Sequence, residues 1–364
     1  MALTTETDLS FLYHLLRIFL RPFRPRLAAS DKHSFVGSPA GSLLLTIPSK
    51  SKCSISHQEV KGINVYEFHP ISHSTASTST KPTHRILYFA GGGFQSPPST
   101  AHWAFCEELC LRLAGLYEIT LVSYPLAPGC PAPKSLPILH KWLKATCVEG
   151  IEAKESLTLM GDSAGGNIAL SLAFWWVSHL EHENEPRHHG EHASTHMLEG
   201  EIERATETEK AESTDKNRSP LKNVFVISPP TDMRNQNRAT FDADKHDPIL
   251  SIPLINSVAQ AWAGTDTHCK WDLDRPELSP NLQDASKFMK MRQLDIRIHG
   301  VVGTWDVLAP DALVFYQKCK QHGIEGEWLK WERQMHCFPL AWKYGLSEGK
   351  RGLEWILAVL RTSV

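Results

Sequence analysis

The run Gly161-Asp162-Ser163-Ala164-Gly165 constrains this chain more than any other feature. It follows a short apolar run at residues 157–160 and precedes a helical pattern over 167–177. A serine between glycines at that junction predicts a strand, a sharp turn and a helix, with the serine in strained backbone geometry. Glycines two residues to either side omit the Cβ atoms that such a turn would drive into neighbouring backbone. The hydroxyl is then presented at the carboxyl edge of a sheet, with the amino end of a helix beneath it.

Such a turn needs a sheet of buried strands around it. Residues 86–90 form a short, continuous apolar run, and 119–124, 157–160, 224–227, 296–302 and 324–331 continue the series as further expected strands, with helical patterns over 136–147 and 167–177 between some of them. Runs without alternation fit strands buried on both faces. Strand and helix in alternation predict an α/β fold, a mostly parallel central sheet covered by helices on both sides. Residues 42–47 and 58–69 alternate in part and are expected to open the sheet as a hairpin. The Ser/Thr stretch 72–80 reads as an exposed connection.

A lone serine is a weak nucleophile and needs a base, itself oriented by a carboxylate. Asp306 follows the strand expected over 296–302, and His336 follows the strand expected over 327–331, both where carboxyl-edge loops are expected. Two acids compete with Asp306. Asp311 follows Pro310 and reads as part of a helix's first turn, while Asp232, after Pro229-Pro230, reads as structural. The run Ala90-Gly91-Gly92-Gly93-Phe94 ends the first buried strand, where glycines let main-chain amides turn toward a developing oxyanion. No Gly-Lys-Ser/Thr follows, which excludes a phosphate loop. Gly91, Gly92 and Ala164 are the oxyanion-hole candidates.

The glycine run, Tyr124-Pro125-Leu126-Ala127-Pro128, the serine turn continued by Gly166-Asn167, Asp306-Val307-Leu308 and His336 with Phe338 together resemble the hormone-sensitive-lipase-like carboxylesterases of the α/β-hydrolase fold. The resemblance runs from about residue 86 to the carboxyl end. It implies a carboxylic ester hydrolase working without metal or organic cofactor, with Ser163, Asp306 and His336 catalytic. It also implies a helical cap from residues 1–40 and 231–287 on a hydrolase domain of residues 41–364. Phe94, Trp262, Trp305 and Phe338 are then candidates to line the substrate cleft. Three positions depart from the pattern: Ala90 stands where the family has His, Pro125 where it has Arg, and Gly129 where it has Glu. Amide, formamide or lactone hydrolysis and acyl transfer would use the same residues. A small-molecule receptor on the same fold is the alternative of another class, and His336 argues against it.

Composition limits the partners. Lys+Arg 38 against Asp+Glu 40 gives a net charge of −2, so no basic excess is available for a nucleic-acid backbone. The eight cysteines contain no CxxC pair and read as reduced, packed thiols, in keeping with a cytoplasmic monomer or homodimer. Residues 9–20 are too short and too interrupted, by His14 and Arg17, to span a bilayer. Leu9, Leu12, Leu16, Phe19 and Phe23 fall on one helical stripe, expected to pack on the body or else to touch a membrane surface. Residues 181–218 hold 11 acidic and 5 basic residues and too little apolar surface to fold alone, so they read as a disordered insertion. His192 and His196 within it lack a rigid element or third ligand, and no metal site is assigned.

Overall fold

Short apolar segments without alternation bury both faces, and here such segments form the middle of one nine-stranded sheet. The computed structural model describes residues 1–24, 41–71, 83–184, 219–265 and 269–364. The strands are β1 (Ala2–Glu6), β2 (Cys53–Val60), β3 (Ile63–Pro70), β4 (His84–Phe89), β5 (Tyr117–Ser123), β6 (Ser156–Asp162), β7 (Leu221–Ile227), β8 (Arg297–Gly303) and β9 (Glu327–Trp331). Their order is β1-β9-β8-β7-β6-β4-β5-β3-β2. Only β3, against β2 and β5, pairs antiparallel.

Helices cover both faces, because successive side chains of a strand point opposite ways. Leu87 and Phe89 of β4 join one core with Trp142 and Phe174, from α3 (Ala132–Glu152) and α4 (Ala164–Asn184). Ile86 and Tyr88 join the other with Phe105 and Ile356, from α2 (Thr100–Arg112) and the last helix (Ser347–Thr362). Between β7 and β8, the stretch 231–287 carries α5 (Ala239–Asp244), α6 (Ile252–Ala263) and the start of α7 (Ala285–Gln293). Helix α8 (Ala309–Gln321) follows β8, and the Ser347–Thr362 helix is α9.

Three expectations are corrected. The opening hairpin is β2 with β3, not residues 42–47 with 58–69, and 42–47 form no strand. The run 58–69 hid a two-residue turn, Lys61-Gly62, both at positive φ (51° and 82°), which reverses the chain. Residues 2–6, placed in a helical segment, form the edge strand β1, parallel to β9. Residues 181–184 continue α4 rather than open a loop, and 185–218 lie outside the described residues, as do 72–80.

The amino-terminal helix, α1 (Phe11–Leu20), starts at Ser10, whose hydroxyl accepts the Tyr13 amide at 3.2 Å. Tyr13 is the residue it buries, and its hydroxyl donates to the Arg333 carbonyl at 2.8 Å, on the loop that carries His336. Of the expected stripe, Leu9 and Leu16 pack against the body, whereas Leu12, Phe19 and Phe23 are exposed. Among the described residues no helix is long and apolar enough to cross a membrane.

Candidate active site

Ser163 sits between β6 and α4 with φ +50°, the left-handed region that costs most residues free energy. The flanking glycines make the turn possible. A Cβ on Gly161 would lie 2.4 Å from the Gly165 backbone, and one on Gly165 would lie 1.9 Å from the Phe89 carbonyl oxygen. The Ser163 amide donates to the Ile227 carbonyl at 2.8 Å, which ties the turn to β7.

The structure brings Ser163, His336 and Asp306 together. His336 Nε2 is 2.9 Å from Ser163 Oγ, and Nδ1 is 2.8 Å from Asp306 Oδ2. With Nδ1–H directed at the carboxylate, Nε2 is left to accept the serine proton. Asp306 is fully buried, and its other oxygen accepts the Leu308 amide at 2.9 Å. Burial works against a charged His336, but the charge and hydrogen bond of Asp306 outweigh it and leave the imidazole pKa well above its ordinary value. The loops of His336 and Asp306 touch because Gly303 has no side chain: a Cβ there would lie 2.4 Å from the Gln334 carbonyl oxygen. The competing acids are engaged elsewhere, Asp311 by Asn237 Nδ2 at 2.9 Å and Asp232 by Arg234 at 2.7 Å.

The oxyanion loop departs from expectation at Gly91. Its amide does not face the serine; it donates to Asp162 Oδ1 at 2.9 Å in a buried bond. Gly92 and Ala164 remain as candidates. Gly92 has φ +135°, and a Cβ on it would meet the Ser96 carbonyl oxygen at 2.7 Å. Ala164 opens α4, where the first amides of a helix have no partner within it.

Three of the four cleft candidates belong to the core. Phe94 (1% exposed) stacks on Trp262 (0%) with ring centroids 4.4 Å apart, and Phe338 (1%) packs edge-on against Trp331. Their rings brace the loops around the serine and offer no open surface. Trp305 is half-buried between Arg17, 4.1 Å from its ring centre, and the stacked His246.

Two groups that sequence reasoning passed over lie beside the site. Asp247 is fully buried; its carboxylate accepts the amides of Ile249 at 2.7 Å, Leu250 at 2.9 Å and Val307 at 3.0 Å. Burial and then the Asp306 charge push its pKa up to about 7. His102 on α2 approaches Asp162. Neither stands in a motif, and only the folded chain brings Asp247 to the Asp306 loop and His102 to Asp162. Among the described residues no group of three or more His, Cys, Asp or Glu side chains could hold a metal ion.

A family model described as an alpha/beta hydrolase fold matches residues 86–340, and the chain belongs to that family. It is 33% identical to an esterase of Acinetobacter venetianus over 91 residues, 25% of this chain and 29% of that one. It is 32% identical to human hormone-sensitive lipase over 91 residues, 24% of this chain and 8% of that one. A gibberellin receptor of Arabidopsis thaliana is 37% identical over 95 residues, 24% of this chain and 27% of the receptor. The matches thus span less than a third of each of these relatives. Carboxyl esterase 2 of Tuber melanosporum superposes with a TM-score of 0.69 at 15% identity, covering 98% of this chain and all of that one.

Proposed function

We propose that the chain is a serine esterase that cleaves a carboxylic ester of a small to medium hydrophobic molecule through an acyl-enzyme. The observation that carries this reading is the hydrogen-bonded line from Ser163 Oγ through His336 to the buried Asp306, at 2.9 and 2.8 Å. Ser163 attacks the ester carbonyl as His336 Nε2 takes its proton. Asp306 holds the ring and balances the imidazolium. The tetrahedral oxyanion rests on the Gly92 and Ala164 amides, with Gly91 shaping the loop. His336 returns the proton to the departing alkoxide, and water, activated by the same imidazole, releases the acid. No cofactor enters these steps. A cap formed from parts of residues 1–40 and 231–287, with Trp305 at its edge, selects the substrate. The similarity to a gibberellin receptor keeps a binding role in view, but the intact base favours turnover.

The test pairs a fluorophosphonate probe with p-nitrophenyl esters from acetate to palmitate. Ser163→Ala should abolish labelling and lower kcat about 10³-fold or more. Full turnover by that variant would overturn the reading. Labelling without turnover of any ester would favour an amidase, lactonase or acyl transferase.

A membrane contact is a second reading, favoured by one observation. Phe11, Leu12, Leu15, Ile18 and Phe19 of α1 are all about half exposed or more among the described residues, an apolar face large enough to enter a lipid interface. Ile18→Ser with Phe19→Ser should weaken co-sedimentation with anionic liposomes while turnover of a soluble ester stays unchanged. Eight free thiols accord with a cytoplasmic protein.

A further inference from the structure

Asp162 precedes the serine and is 2% exposed, so its carboxylate depends on the protein for hydrogen bonds. Oδ1 accepts the Tyr88 hydroxyl and the Gly91 amide. Oδ2 lies 3.3 Å from His102 Nε2 and 3.7 Å from Cys337 Sγ, next to the base. His102 stands in the first turn of α2, where its Nδ1 accepts the Ser99 amide at 2.9 Å. Since Nδ1 accepts, the proton of the neutral ring is on Nε2, the atom facing Asp162. The imidazole therefore joins the end of α2 to the carboxylate that holds the oxyanion loop. Space at Gly91 is tight as well: a Cβ there would lie 2.4 Å from Asp162 Oδ2.

We propose that His102 is a positioning residue for the ester hydrolysis inferred above: by donating to Asp162 Oδ2 it fixes the carboxylate that holds Gly91, and so aims the neighbouring Gly92 amide at the oxyanion. This rests on the hydrolase reading but concerns a different imidazole from the base. His102 never touches substrate. Its loss acts through geometry, and misplacing one donor weakens the transition state more than the bound ester.

Two variants separate this role from helix capping. In His102→Asn the shorter amide still accepts the Ser99 N–H but falls short of Asp162. In His102→Gln the longer amide reaches Asp162 and donates. The readouts are kcat, KM and the inhibition constant of an alkyl trifluoromethyl ketone, which adds to a serine hydroxyl as an anionic hemiketal. His102→Asn should lower kcat about tenfold and weaken the ketone by a similar factor, with KM within twofold. His102→Gln should stay within about threefold of the parent on all three. Equal kcat and ketone affinity across the parent and both variants would overturn the proposal, as would a change confined to KM. If His102→Asn does not fold, His102→Met, which fills the space without a donor, replaces it, and a match between Met and Gln variants is then the overturning result. Ser163→Ala is run alongside: full turnover there defeats the hydrolase reading itself, whereas failure of the His102 comparison leaves that reading standing.

Discussion

Asp306 is the residue at which orientation can be separated from nucleophilicity. Asp306→Asn keeps the shape of the side chain but no longer balances the imidazolium, and kcat should fall by about 10²–10⁴ with little change in melting temperature. Asp311→Asn and Asp232→Asn should cost far less, since both acids serve Asn237 and Arg234 instead. A larger loss from either would reassign the acid. A pH profile tests the same pair. His336 works as a base only when neutral, and its pKa is raised well above the ordinary 6.5. The acid limb of kcat/KM should therefore be centred above pH 6.5 and move down in Asp306→Asn. The stability sign follows too: charged His336 favours the fold below its unfolded pKa, and that contribution fades as pH rises through the raised folded value. The meeting of Ser163, Asp306 and His336 was legible because glycine spacing and strand-end position are local facts. Gly91 was misread because the direction of its amide depends on where Asp162 points, which is set by tertiary packing.

Elements carry the geometry through close backbone approaches. Gly165→Ala should leave no soluble fold, because its Cβ would stand 1.9 Å from a carbonyl oxygen of the central strand β4; expression and circular dichroism decide it. Asp247 couples the segment between α5 and α6 to the loop of Asp306. Asp247→Ala strands one buried and two part-buried amides and should cost about 2–3 kcal/mol in urea unfolding. A variant as stable as the parent would mean that water or a backbone shift replaces the carboxylate. The buried parallel strand β4 was legible from its unbroken apolar run, and β5 to β9 from short apolar-rich stretches in series with it. Strand β1 was not: Ala2–Glu6 reads A-L-T-T-E, mostly exposed, and becomes a strand only because β9 offers an unpaired edge. The apolar spacing of α1 likewise announced a helix without revealing which side packs. Tyr13, with its hydroxyl bonded to Arg333, decides that.

At the scale of the whole molecule the sheet holds the site. Deleting 185–218 with a short linker should leave ester turnover within a few-fold, since loop closure depends weakly on length; loss of folding would mean that the stretch packs on the body. The amino-terminal residues are a different case. Strand β1 adds to β9, Ser10 bonds Glu348 of α9, and Arg351 pairs with Glu6. These contacts join positions about 320 to 345 residues apart. During synthesis the first strand emerges from the ribosome long before its partner exists, and contacts so distant in sequence are slow to form. Strand β1 must wait, unpaired, until β9, about 325 residues further along, has been made. The α1 contact with the His336 loop, which β1 helps to moor, is then among the last to form, so a nascent chain holds its serine turn well before α1 is docked on that loop.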